Sequence, residues 1–405
     1  MDNSYSLHTL PNGLRVAYSR RNGNVAYCGV AVNAGSRDED ERHHGLAHFV
    51  EHTIFKGTRR RKAWHILNRM ELVGGELNAY TTKEETLVYS VFPSGNMERA
   101  VELISDLILN SAFPEKELEK EKEVVLEEIR SYRDTPSEAI YDDFEDLVFK
   151  GGELGHNILG TEECLAGIGT NECMDYLKNL YVPSNMVLFA VGSIPDEKMF
   201  RLAERYFSPM HHSEVRNPRK FVPASPAFSI CNNIDSHQAH TITGTATFGM
   251  HDNRKYPLML LNNILGGPGM NSTLNVAIRE RRGYAYTVES SVTLFSDCGL
   301  FAIYFGSDGR NVKKCLRLID NEIDRIASGG MRQTAIEAAK KQFIGQLLVG
   351  SENVESHALS LGKGILNFGR YSSIEEIAGQ IRAVSADDLS RAAQMIANRS
   401  TLTFL

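Results

Sequence analysis

The chain is poor in cysteine, and none of its six, at 28, 164, 173, 231, 298 and 315, form a C-x-x-C pair. That argues against a disulfide framework, and reduced thiols in an intracellular protein are the simplest account. No run of about eighteen apolar residues occurs, so no membrane partner or membrane-spanning helix is expected. The segment Met1 to Leu7 has neither the charged-then-apolar pattern of a signal peptide nor an Arg-rich amphipathic presequence, so the expected location is cytoplasmic. Positive charge is also short: 44 Lys+Arg stand against 51 Asp+Glu, and the net −7 disfavours nucleic acid as the main partner. Apolar material is ample. A chain of 405 residues that is 42% hydrophobic can build two or more domains, each burying its own core.

Against these absences stands one dense segment, Gly45-Leu46-Ala47-His48-Phe49-Val50-Glu51-His52, in the inverted zinc-peptidase order H-x-x-E-H. His48 and His52 are four apart, so on an α-helix they share a face one turn apart and both imidazoles can reach one metal ion. Glu51 lies about 60° from His48 on the helical wheel. It is thus on the metal-facing side, placed as a general base for an activated water rather than as a ligand. Two plainer readings stay open on these residues alone. His44 and His48 also make an i,i+4 pair, as a histidine-rich helix end would, although Gly45 suits a helix start and leaves His44 in the preceding loop. A five-residue match can also arise by chance.

A hydrolytic zinc site uses three protein ligands and one open position, so a third His or carboxylate has to come from elsewhere. Pro114 to Arg133 predicts a helix with proline near N1 and glutamates at 115, 117, 119, 121, 123, 127 and 128. Leu118, Val125, Ile129 and Tyr132 form its apolar stripe, and of the glutamates only Glu121 and Glu128 fall within the edge of that stripe. Carboxylates turned toward a core need partners or a cation. Both therefore rise above their neighbours.

The string Gly45 to Thr58, GLAHFVEHTIFKGT, resembles the signature of the pitrilysin and insulin-degrading-enzyme superfamily of inverzincins, in its mitochondrial-processing-peptidase-like branch. The resemblance covers essentially the whole chain. It implies a zinc metalloendopeptidase with one Zn2+ per chain. The family's third ligand is a glutamate at a fixed distance after the second histidine, which lands on Glu128, and a further glutamate seven residues earlier matches Glu121. The implied roles are His48, His52 and Glu128 as metal ligands, Glu51 as general base and then acid, and Glu121 as a supporting residue.

Asn78 to Ser90 mixes β-branched and aromatic residues with polar ones after Gly74-Gly75, which predicts sheet entered from a glycine turn. By itself this is an ordinary strand. The resemblance implies an edge strand beside the zinc to which a peptide adds, with Asn78 and Ala79 as substrate contacts. Arg279-Glu280-Arg281-Arg282-Gly283-Tyr284-Ala285-Tyr286 likewise reads alone as a basic helix end running into a strand. Its likeness to the family's R-E-x-R-G-x-A-Y segment implies that Arg279 and Tyr286 contact the substrate carbonyl region near the metal, where such donors stabilise developing negative charge. Leu265-Gly266-Gly267-Pro268-Gly269 lacks the Gly-Lys-Ser/Thr of a phosphate loop and resembles the family's glycine-rich loop, from which Pro268-Gly269 departs. His237 and His240 are expected to be structural or solvent-facing, and Asn271-Ser272-Thr273 is a glycosylation acceptor only in form.

Four prolines and several charges between Ser208 and Pro226 break the periodic pattern and mark a linker at 208–226. The flanking parts, 1–207 with the metal motif and 227–405 with the Arg/Tyr pair, repeat one order of strand, helix, glycine turn, two strands and helix, as an imperfect tandem duplication would. The expected class is α+β: two homologous domains, each an antiparallel-rich sheet with helices packed on one face. Larger relatives close two such halves into a chamber, so the resemblance implies a dimer, either a homodimer or a heterodimer with a homologous subunit, acting on small or unfolded peptides. Two other classes stand beside the enzyme. A non-catalytic partner subunit would typically have lost part of the H-x-x-E-H set that this chain retains, and the intact Glu51 disfavours a zinc-dependent binding module without turnover.

Overall fold

The computed structural model describes residues 5–211, 213, 215, 219–221, 223–234 and 237–405. Part of the 208–226 linker and the segment Met1 to Ser4 lie outside these residues. The chain forms two compact units. The first comprises Met1–Arg130, Asn157–Lys220 and Gly350–Ser373, and the second Ser131–His156, Phe221–Val349 and Ile374–Leu405.

The first unit is built on β1 (Ser6–Thr9), β2 (Arg15–Arg20), β3 (Val25–Val32), β4 (Glu76–Thr81), β5 (Thr86–Pro93) and β6 (Met186–Gly192), in the order β1-β2-β6-β3-β5-β4. The second holds β7 (Ser229–Asn232), β8 (Ala239–Phe248), β9 (Ala285–Leu294), β10 (Cys298–Ser307) and β11 (Ser400–Phe404), in the order β7-β11-β8-β10-β9. The two orders are one permutation. Substituting β7, β8, β9, β10 and β11 for β2, β3, β4, β5 and β6 converts the first sheet, less its edge strand β1, into the second. Directions follow too: β2 with β6 and β7 with β11 are the parallel pairs, and the remaining pairs are antiparallel. In each sheet the strand that follows the helices of the half, β4 or β9, is left at an edge.

The apolar sequence of the central strands has a simple cause. β6, MVLFAVG, is buried from end to end because its sheet is covered on both faces. One face carries Val16, Val30, Val88 and Leu188 into the main core beneath most of the helices. The other presents Ala17, Ala31, Leu87, Val187 and Phe189 to Ala358, Leu361 and Ile365 of the helix Val354–Phe368. In the second unit the helix Pro136–Val148 plays that part, laying Ile140, Phe144 and Val148 against Ile242, Leu300, Ala302 and Leu402. Each sheet therefore has a main helical layer on one face and a single helix on the other. This is why unit membership differs from a division at 208–226: each single helix is encoded on the far side of that linker from the sheet it covers, and burial of its apolar stripe decides where it belongs.

Among the described residues all six cysteines are free, and no helix is long and apolar enough to cross a membrane. His240 is buried with its Nδ1 2.8 Å from the Tyr304 hydroxyl, and His237 is exposed.

Candidate metal centre

The metal-motif helix α1 spans Leu46–Thr53, with Gly45 as its N-cap in the left-handed region at φ 96°. Glycine is required there twice over: L side chains rarely adopt this φ, and a Cβ would fall 2.6 Å from the Leu159 carbonyl oxygen. The helix buries Leu46, Ala47, Phe49, Val50 and Thr53 in the core, which turns His48, Glu51 and His52 toward the helix Glu115–Arg133 and the edge strand β4. The acidic helix buries Leu118, Glu121, Val125 and Ile129 and leaves Glu127 exposed, as its wheel predicts.

Three donors converge. His48 Nε2 lies 3.7 Å from Glu128 Oε1, His52 Nε2 lies 3.5 Å from Glu128 Oε2, and one ligand atom from each of the three residues falls within 4.8 Å of the others. Among the described residues this is the one such group of His, Cys and carboxylates. The separations are too long for hydrogen bonds. They fit a shared cation, because ligands at bond lengths of about 2.0–2.1 Å in a tetrahedral shell stand about 3.3 Å apart. Burial, then the neighbouring His52, pushes His48 down to about 3, which keeps its imidazole in the neutral form that binds metal. His52 Nδ1 lies 3.0 Å from Glu121 Oε1, and a proton held on Nδ1 by that carboxylate leaves the Nε2 lone pair facing Glu128. The second Glu121 oxygen takes the Lys56 ammonium at 2.6 Å.

Glu51 stands at the same site. Burial pushes its carboxyl above the ordinary range, the hydroxyl and backbone of Thr81 and the proximity of His52 act against that rise, and Glu128 adds to it. Thr81 ends β4, whose outer edge has no strand partner among the described residues. Alternation along β4 sends Leu77 and Ala79 toward the α1 side and Tyr80 to the other face, so Asn78 and Ala79 face opposite ways. Thr81 and Lys56 are absent from the sequence-based set. A period-two extension from Ala79 reaches Thr81, whereas Lys56 has only its position one turn after His52 to mark it.

The structure brings His48, Glu51, His52, Glu121 and Glu128 together, with Ala79 on the neighbouring strand. Arg279 and Tyr286 belong to the second unit. Arg279 is exposed at the end of the helical segment Asn275–Glu280, with the Glu280 carboxylate 4.0 Å away, and Tyr286 is 70% exposed on β9. Arg279 lines a cavity of about 370 Å³ together with the glycine-rich loop, Ser272, Asn275 and Glu289.

Two family profiles match successive parts of the chain. The profile described as Insulinase (Peptidase family M16) matches residues 15–162, and that described as Peptidase M16 inactive domain matches residues 169–343. An uncharacterized zinc protease of Rickettsia bellii is 34% identical, with 99% of this chain and 97% of that one covered. The uncharacterized zinc protease YmxG of Bacillus subtilis is 30% identical, with 96% and 95% covered. A crystal structure of a protease from Helicobacter pylori shares the fold at a TM-score of 0.92, with 20% identity and 99% of each chain covered.

Proposed function

The chain belongs to the insulinase (M16) peptidase family, and from that premise we propose that it is a zinc-dependent metalloendopeptidase of small or unfolded peptides, working as a cytoplasmic dimer. The observation that carries the reading is the convergence of His48, His52 and Glu128 beside a Glu51 that is itself no part of the donor set. His48, His52 and Glu128 would hold one Zn2+, which when bound acidifies a water and polarises the scissile carbonyl. Glu51 takes the proton of the attacking water and returns it to the leaving nitrogen. Its raised proton affinity favours the capture of that proton. Glu121 holds the His52 ring by Nδ1 so that Nε2 stays aimed at the metal position.

The free edge of β4 receives the substrate backbone as a further antiparallel strand, at Asn78 and Ala79. Pairing through main-chain groups tolerates many side chains. Arg279 and Tyr286, drawn from the other subunit of the dimer, donate to the substrate carbonyl as negative charge develops on it. Hydrolysis of internally quenched peptides by the zinc-loaded protein, its loss to a chelator and its return with Zn2+ test the reading. Zinc-loaded protein that hydrolyses none of a broad peptide set, or hydrolysis indifferent to the chelator, overturns it.

A further inference from the structure

One residue outside the assigned set grips the metal helix directly. The N-cap of α1 is a glycine and offers no side chain to the amides of the first turn, groups that a helix cannot satisfy internally. Glu39 supplies the missing acceptors from six residues upstream. Its Oε2 accepts the Gly45 N–H at 2.9 Å and its Oε1 accepts the Ala47 N–H at 2.6 Å. A carboxylate there also meets the positive end of the helix dipole. Ala47 immediately precedes His48, so the grip acts on the backbone one residue before the first histidine. We propose that Glu39 is a positioning residue for the metal centre: its two oxygens set the start of α1, and with it the stance of His48, Glu51 and His52 against Glu128 and β4. The inference rests on the peptidase reading above.

Glu39 can fix the helix because it is itself fixed. It follows the 3-10 turn Ser36–Asp38, which is clamped to the turn between β4 and β5. Ser36 N–H donates to Thr82 O at 3.2 Å and Arg37 N–H to Lys83 O at 2.7 Å. The buried Arg37 guanidinium pairs with Glu84 at 2.7 Å, and Arg219 reaches both Asp38 at 2.8 Å and the Glu84 carbonyl at 2.7 Å. Gly35 permits this approach, since a Cβ there would lie 2.3 Å from Thr82 O. Thr82 adjoins Thr81, the last residue of the strand β4 against which α1 packs. The contacts run from β4 through its turn and Glu39 to the first turn of α1, a helix that itself packs against β4. A helix capped at its first turn and packed against β4 resists sliding along its axis, a movement that would carry both histidines away from Glu128.

The test compares Glu39→Gln, which keeps one acceptor but turns an NH2 group on the other amide, with Glu39→Asp, which keeps the charge on a shorter arm. In the full-length protein, Glu39→Gln should weaken zinc binding about 10–100-fold in competition with a chelator, the range seen when ligand-supporting groups are lost. Zinc-saturated, it should lose about 10-fold or more in kcat at unchanged KM, because misplacements of an ångström carry penalties of that order. Glu39→Asp should fall between it and wild type on both counts. A cap that serves stability alone lowers Tm and leaves zinc affinity and kcat at wild-type values well below the melt, and that result overturns the inference. If Glu39→Gln does not fold, Glu39→Asp decides by the same two numbers. Hydrogen exchange on the unmodified protein bears on the grip itself, and unprotected Gly45 and Ala47 amides overturn it. Wild type separates the two readings: absence of chelator-sensitive hydrolysis by wild type sinks the peptidase reading, whereas an active wild type with unaffected variants sinks only the role of Glu39.

Discussion

Glu121 and Glu128 lie on one helix two turns apart, and substitution distinguishes a ligand from the group that orients one. The Glu121 side chain is only 9% exposed, so water can neither screen its contacts nor replace them well. Alanine removes the 3.0 Å bond to His52 Nδ1 and the 2.6 Å pairing with Lys56, which frees the imidazole to rotate or change tautomer and leaves an ammonium beside the site without that carboxylate. Losses of this kind weaken metal binding by about 10–100-fold, or about 1.4–2.7 kcal/mol. Glutamine keeps a neutral acceptor for Nδ1. Charge-assisted hydrogen bonds are roughly twice as strong as neutral ones, so Glu121→Gln should recover about half of that free energy. Glu128→Ala deletes a donor outright and should leave the protein nearly free of metal. Zinc-to-protein ratios after dialysis, with competition against a chromophoric chelator, should give the order wild type, Glu121→Gln, Glu121→Ala, Glu128→Ala from tightest to weakest. Tighter binding by Glu128→Ala than by Glu121→Ala would mean that the two carboxylates have been assigned the wrong way round. Equal losses for Gln and Ala at 121 would shift the weight from the His52 bond to the Lys56 charge.

Glu51→Gln should keep its zinc, because no donor is touched, while kcat falls by about 10²–10⁴, the usual worth of a general base; full activity in the zinc-loaded variant refutes the proton-transfer role. Mixing Glu51→Gln with Arg279→Ala under subunit exchange should raise activity above the sum of the two variants, since one site of each mixed dimer then lacks both defects. Mixed dimers verified by tagged pull-down without such a rise would place Arg279 in the service of its own chain or of none. The half-buried His357, between Ser19 and Tyr371, has its proton affinity lowered by burial and then by Arg21. The folded state then binds the proton less readily than the unfolded one, so this contribution to stability is complete above about pH 6.5 and drains away as pH falls below it. His357→Gln should flatten the dependence of Tm on pH between about 7.5 and 5.5, and an unchanged slope counts against the assignment.

The metal turn is legible in the sequence because helical spacing by itself brings His48, Glu51 and His52 to one side, and Gly45 marks the boundary at which the helix starts. The acidic helix is legible for the same reason: burial follows its period, so Glu121 and Glu128 separate from Glu127 without knowledge of the fold. Which of the two meets both Nε2 atoms depends on how one helix lies against another, and no wheel encodes that; the family spacing supplied it. Alternation in a strand already sets Ala79 and Asn78 on opposite faces, but β4 is half-buried at nearly every position, so its pattern does not tell which face turns to α1. Glu39 and Lys56 act across tertiary contacts that local pattern does not announce. The stripes of Pro136–Val148 and Val354–Phe368 declare that these helices bury a face, but not which sheet receives it.

That last ambiguity bears on how the chain can be divided. Translation stopped at the linker would yield a first sheet whose Ala17, Ala31, Val187 and Phe189 lie open to water, since the helix that shields them has yet to be made. The second half expressed alone would lack Ile140, Phe144 and Val148 beneath β8 and β11. Neither half is therefore a self-sufficient module, however closely their strand orders match. A nick within 208–226 would break the covalent path and leave each fragment anchored in the other's core. Two copies of one strand plan each borrow a covering helix from the other's half of the sequence.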